Sequence, residues 1–395
     1  MIRIEKPFLS REEGKTVLNA YITIGEKREK VWFKVDEKYG QYLCHERGDA
    51  FLIAVLNYAM RNGHDIISDA PITEDLIYNI DTYLVDGLVE YNPSFHRPTI
   101  TAETANEPLP NAGAVGTGIS CGVDSLHVLA NEQNKRYPKH CITHLAFNNV
   151  GSHGEGERAR NLYLQRIQRP RRFAEEYGFE FVASDSNLMD VVKQDHFKTH
   201  TYSSLFAVYC LQKLYGVYYY ASAGYKYHEF SLVDREGCSG QYELLSLPVF
   251  STHQLTIYSE GANKSRMEKM RTVADYEPSY KYLNVCLLEG NNCSRCEKCV
   301  RTMMGLDAIN VLDKYEAVFD VSYYRSHKKW YMRQMLKSLA EHKHDYFEIY
   351  SYFKKQMTVD LYIFKIQHSI FYSINRSFRK SSLFRLLKRI KSLRK

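Results

Sequence analysis

The chain has 395 residues, 44% hydrophobic and 25% charged, which excludes a disordered, collagenous or disulfide-scaffold class and predicts a sizeable core split over two or three units. Its formal charge of +7 is concentrated at one end: from Asn375 onward NRSFRKSSLFRLLKRIKSLRK carries nine Lys or Arg and no acid. The rest holds 44 basic against 46 acidic residues, a net charge of −2, so any attraction to a polyanion or membrane belongs to the tail.

No apolar leader and no membrane-length apolar run is present, and four of the nine cysteines crowd into residues 286–299. Both features predict a cytoplasmic protein with one metal site rather than a disulfide-bonded one. Residues 1–105 read as an α+β domain. VLNAYITI (17–24) and KVWFKV (30–35) alternate around GEKRE like a hairpin. DAFLIAVLNYAM and EDLIYNIDTYLVDGLV read as helices, the second with Thr73 as its cap. RPTITAETANEPLPNAG has the composition of a linker.

From about residue 112 short apolar runs alternate with helical segments, the pattern of a parallel sheet covered by helices. AVGTGI, CITHLAF, FEFVAS and VYYYASA are the expected strands. Pro170 is expected to break the long helical stretch ERARNLYLQRIQRPRRFAEEYG. After Tyr315 the sequence becomes helical and aromatic, giving a 106–313 core domain and a 314–395 helical extension.

The segment GTGISCGVDS places Gly and Ser where the first core strand meets a helix. Free amides, the helix dipole and small side chains make such a junction an anion site. Ser120 and Ser125 can donate hydroxyl hydrogen bonds, Gly122 and Val123 offer backbone, and Asp124 can hold a magnesium ion on phosphates. The simpler alternative is a tight turn with Asp124 or Ser120 as a cap. Cys286, Cys293, Cys296 and Cys299 have the spacing of a four-thiolate zinc site, with an iron–sulfur cluster as the rival.

The SxGxDS loop after a first strand resembles the pyrophosphatase loop of the PP-loop superfamily of ATP-dependent adenylating enzymes. That loop usually has two glycines after its first serine, and Cys121 takes one of those places. Cysteine, short insertion, CxxCxxC and Arg301 together resemble the zinc knuckle of 7-cyano-7-deazaguanine synthase, and the likeness covers about residues 112–310. It implies an α/β, parallel-sheet PP-loop core of the adenine nucleotide α-hydrolase-like kind. It further implies ATP, Mg2+ and Zn2+ as cofactors and AMP-forming activation of a small-molecule carboxylate. Ammonia or an amine donor would then attack, and with no early cysteine glutaminase in the chain the ammonia would come from outside it.

On the same likeness the nucleotide is expected at Ser120, Cys121, Gly122, Val123, Asp124 and Ser125, with Asn148 and Gly151 after the second strand. THTYSSL, with Thr199, His200, Ser203 and Ser204, falls where the deazaguanine enzymes have an Arg-Asn pair; His200 is a candidate to bind phosphate, with a helix-entry histidine as the alternative, and Gly224 and Tyr225 follow the fourth strand. A connecting loop explains Asn148 and Gly151 equally well. Arg266 and Lys269, three residues apart on an expected helix, are candidates to neutralise departing pyrophosphate; a solvated helix face is the alternative.

Leu383, Leu386, Leu387, Ile390 and Leu393 form a stripe with bases opposite. It suits peripheral contact with an anionic membrane, with RNA, or with the protein itself, and a homodimer is a further expectation. tRNA thiolation and a non-catalytic nucleotide-binding regulator are the alternative functions.

Overall fold

The computed structural model of the 395-residue chain describes residues 1–131, 137–222, 226–232, 238–286, 288–341, 346–354 and 357–380, the last seven by backbone alone. It is an α/β protein whose contacts divide into two compact units, Met1–Asn284 and Val285–Lys395.

Among the described residues the first unit carries thirteen strands: β1 (Ile2–Ile4), β2 (Phe8–Glu12), β3 (Lys15–Ile24), β4 (Lys27–Asp36), β5 (Ile66–Ser68), β6 (Ile72–Thr73), β7 (Ile100–Thr101), β8 (Thr104–Ala105), β9 (Ala114–Gly118), β10 (His144–Asn149), β11 (Glu180–Ser186), β12 (Tyr215–Ala221) and β13 (Thr256–Glu260). Eleven form one sheet, in the order β13-β12-β9-β10-β11-β4-β3-β1-β5-β7, with β2 also on β3; β6 and β8 pair separately.

The five strands from β13 to β11 are mutually parallel. The apolar runs of β9, β10 and β11 are buried on both faces, as helix-covered parallel strands must be. The next strand, β4, joins β11 antiparallel, with Asp185 opposite Lys34. Side chains seal this seam: the Ser186 hydroxyl donates to the Trp32 carbonyl at 2.6 Å, and Asn187 Oδ1 accepts from the Trp32 amide at 2.7 Å.

The expected β3–β4 hairpin is present, closed by a two-residue turn in which Gly25 takes φ 63°. The front strands do not form a domain of their own. Their sheet continues the core sheet edge to edge, and Phe206, from the helix His196–Cys210, packs edge-on against both Phe33 of β4 and Phe51 of the helix Asp49–Asn62. One apolar core thus crosses the boundary expected at residue 105. The composition of a linker at 97–113 does not make it loose: Gln254 pins Leu109 through both amide and carbonyl.

Two local expectations meet different fates. Thr73 does not cap the helix that starts at Glu74; its hydroxyl donates to buried Asp49 at 2.6 Å instead. Pro170 does break the long helix, into Gly156–Arg166 and Gln168–Tyr177. The residue four before it, Arg166, ends the first piece, as the clash of a proline ring with that carbonyl requires.

The second unit starts at the cysteine cluster and continues in the helices Glu297–Ala308, Val321–Ala340, Phe347–Phe353 and Val359–Lys380. The cluster therefore belongs with the C-terminal helices by contact, not with the core to which its sequence position assigned it. Tyr324 donates to Asp307 at 2.9 Å, tying two of these helices together. Among the described residues no helix is long and apolar enough to cross a membrane. The tail stripe from Leu383 to Leu393 lies outside the described residues.

Candidate functional site

In the parallel half of the sheet, β9 is where strand order reverses. The chain passes from β9 outward to β10 and β11, then returns to place β12 and β13 on the other side of β9. Ligands of open parallel sheets bind beyond the carboxyl ends of the strands at such a point. The segment after β9 is the one the sequence singled out, and it leads into the helix Val123–Ala130.

This loop is braced from within. The Ser120 hydroxyl lies 3.2 Å from that of Ser125 and accepts from the Gly122 amide at 3.2 Å, while Ser125 Oγ donates to the Gly122 carbonyl. Cys121 holds φ 58°, in the left-handed region that a glycine adopts without strain. Its side chain is buried, and burial pushes the thiol up to about 12. The cysteine thus supplies the backbone bend and keeps its sulfur out of the loop. Gly122 caps the helix without a side chain, and among the described residues the amides of Val123, Asp124 and Ser125 meet no protein acceptor. First-turn amides of this kind, with the helix dipole behind them, select an anion.

The expected cations converge on the same turn. Ser265 and Glu268 close a capping box that starts the helix Arg266–Ala274, and this places Arg266 and Lys269 on its first turn and a quarter. Arg266 Nη1 donates to Asp124 Oδ2 at 3.0 Å, and Lys269 Nζ to Asp124 Oδ1 at 3.2 Å. Burial raises the Asp124 carboxyl, but the charges of Arg266 and Lys269 and their hydrogen bonds outweigh it and hold it below its ordinary value. Lys269 is 1% exposed, against 34% for Arg266 and 29% for Asp124, and also donates to the Ser222 carbonyl at 3.1 Å. The trio carries one net positive charge at a helix N-terminus. Both Asp124 oxygens are already engaged, so the donor set does not fit a magnesium ion held by this carboxylate alone.

His127 lies behind the trio, and nothing in the sequence around it marked it out. Gly261, at φ 82°, packs closely against both: a Cβ there would fall 3.0 Å from Lys269 Cε and 3.1 Å from His127 Nδ1. Burial, then the Lys269 charge, lowers His127 to about 4, so the ring stays neutral. The approach of helix to loop depends on β13, whose alternation in TIYSE was the signal available in the sequence.

The remaining candidates divide. Asn148 Oδ1 accepts from Ser184 at 2.7 Å, a bond between neighbouring strands. Gly151 follows β10 at φ 128°, and a Cβ there would come 2.7 Å from His196 Nδ1; the backbone at this strand end must be bare. His200 does not supply a phosphate-binding cation. Its Nδ1 lies 2.7 Å from the Tyr220 hydroxyl, its Nε2 3.5 Å from Cys238 Sγ, and burial lowers it to about 4. Gly224 and Tyr225 lie outside the described residues.

In the second unit Cys286, Cys293, Cys296 and Cys299 bring their sulfurs within 4.8 Å of one another. Two of the separations are 3.9 and 4.0 Å. Zinc–thiolate bonds of about 2.3 Å in a tetrahedron set sulfurs about 3.8 Å apart, so the four can hold one metal ion such as zinc. A four-iron cluster puts each thiolate on a separate iron and so spreads the sulfurs further. The turn is built for a thiolate: Ser294 takes φ 58°, and the Cys296 amide donates to Cys293 Sγ at 3.3 Å. Asn292 closes the loop by accepting from the Val285 amide and donating to the Val318 carbonyl. Arg301 lies on the helix that comes next.

The chain matches no family model, no curated protein and no solved structure.

Proposed function

We propose that the chain is an ATP-dependent adenylating enzyme of the PP-loop type, akin to the 7-cyano-7-deazaguanine synthases. It would activate a carboxylate for attack by ammonia or another amine. The observation that carries this reading is the meeting of Arg266 and Lys269 with Asp124, 142 and 145 residues away, on a helix turn whose amides are free. A polyphosphate is the ligand class that calls for free amides, hydroxyls and cations at one point.

In this reading Ser120, Ser125 and the backbone of Cys121 to Ser125 cradle the triphosphate. Arg266 and Lys269 take up the charge of the leaving pyrophosphate, and Asp124 positions both cations. The nucleoside would lie beyond the carboxyl ends of β9 and β10. A carboxylate oxygen bonds to the α-phosphorus as the bond from that phosphorus to the α–β bridging oxygen breaks, and pyrophosphate leaves with the electron pair. The amine nitrogen then bonds to the acyl carbon, AMP departs with the former carboxylate oxygen, and the nitrogen gives up a proton. With ammonia, a second activation of the amide oxygen would yield a nitrile.

The test is incubation with ATP, magnesium, ammonium and a panel of carboxylic acids, with nucleotide products identified by mass. Acid-dependent formation of AMP and pyrophosphate is expected, and Lys269→Met should lower its rate at least about 100-fold. ADP as the product contradicts the reading. So does AMP that forms only with tRNA and a sulfur donor, and so does ATP binding without turnover across the panel, the behaviour of a regulator.

A further inference from the structure

The helix Val359–Lys380 has two unequal sides. Its inward side is fixed by Leu361, which is buried, and by Asp360, which pairs with Lys329 at 2.7 Å and Arg333 at 3.5 Å on the helix Val321–Ala340. The opposite side carries Val359, Ile363, Ile366 and Ile370, spaced to form one row. These four are between 51% and 76% exposed. Residues 361–375 contain one charged side chain, Lys365, and its ammonium turns inward to the Tyr350 hydroxyl at 2.6 Å. The row is therefore apolar without interruption and faces water.

Single exposed isoleucines are ordinary, but a continuous row of them on a long helix marks a surface with a partner. The C-terminal residues identify that partner by their charge: 376–395 hold nine basic side chains and no acid. RNA would attract the bases but offers the isoleucines nothing to bury in. A second copy would cover the isoleucines but bring a second set of nine positive charges. An anionic bilayer answers both: isoleucines enter the acyl boundary while Lys and Arg meet the headgroups. The helix is too polar to cross the bilayer, so it lies along it.

We propose that the isoleucine row of the helix Val359–Lys380 docks in the plane of an anionic phospholipid membrane, with the basic residues beyond Asn375 as its electrostatic anchor. This inference does not depend on the adenylation reading.

The test is co-sedimentation of the full chain with vesicles of phosphatidylcholine alone or mixed equally with phosphatidylglycerol. Binding to the mixed vesicles is expected at low salt, weaker by at least about tenfold on pure phosphatidylcholine or at high salt. The triple variant Ile363→Ser, Ile366→Ser, Ile370→Ser should lose at least about tenfold in binding to mixed vesicles. Its thermal unfolding should match the wild type, because the replaced side chains already face water. Two results overturn the proposal: no binding to anionic vesicles by the wild type, or undiminished binding by the folded triple variant. Light scattering gives the third contrary outcome, a wild-type dimer that the three substitutions dissociate, which would make the row an interface between copies.

Discussion

At residue scale the site turns on an asymmetry within the Asp124 trio. Lys269 is buried and Asp124 and Arg266 are partly exposed, so the two deletions are not equivalent. Asp124→Ala leaves a buried ammonium with only the Ser222 carbonyl and should destabilise the chain by about 1–3 kcal/mol, below the range for fully buried pairs because water reaches Asp124. Lys269→Met leaves Asp124 paired with Arg266 and should cost under about 1 kcal/mol. Urea unfolding midpoints compare the two; equal losses would mean that Lys269 is not stranded. Gly151→Ala meets both a left-handed φ and a clash with His196, so a loss of at least about 2 kcal/mol is expected in the same assay. The residue types at this site were legible in the sequence, since serine, glycine, aspartate and spaced cations speak for themselves. Their pairing was not, because the contact of Asp124 with Lys269 depends on where the chain returns after more than a hundred residues. His200 shows the converse: a polar side chain in a suggestive place proves to be occupied by Tyr220 and Cys238.

The elements divide by how much of their position is local. Strands β9 to β12 announce themselves as short apolar runs between helices, and the helix at Arg266 by its capping box. The last parallel strand, β13, is five residues long with only Ile257 buried, and the short alternation of TIYSE is its one mark in the sequence. The cysteine knuckle is local throughout: its ligands span fourteen residues of sequence, and its turn geometry comes from Ser294 and Asn292. Metal binding and folding should be linked there. One zinc ion per chain is expected by elemental analysis, with Cys293→Ser abolishing it. Chelation should lower the melting temperature of the zinc-loaded protein; an unchanged melting curve would show that the thiols hold no structural ion.

For the whole molecule, the fusion of the front strands to the core sheet is the feature least visible in sequence. A hairpin and two helices followed by a Pro-rich stretch describe a separate domain equally well; only the pairing of β4 with β11 and the shared aromatic core decide otherwise. Stability should depend on pH through the histidines that folding desolvates. Burial lowers His127, His153 and His200 to about 4, below the ordinary value of about 6.5. Between those values the unfolded chain binds more protons than the folded one, so stability falls as pH drops from about 6.5 toward 4. His127, 1% exposed, alone accounts for on the order of 2–3 kcal/mol by pH 4; thermal melts across that window check the slope, and a flat profile would contradict it. Whether the helix turn after β9 is a phosphate cradle is decided by a crystal structure with an ATP analogue that resists cleavage between the α and β phosphates. The triphosphate is expected on the amides of Val123 to Ser125 with Arg266 and Lys269 beside it. A nucleotide bound elsewhere, with that helix turn bare, would mean that it is no cradle.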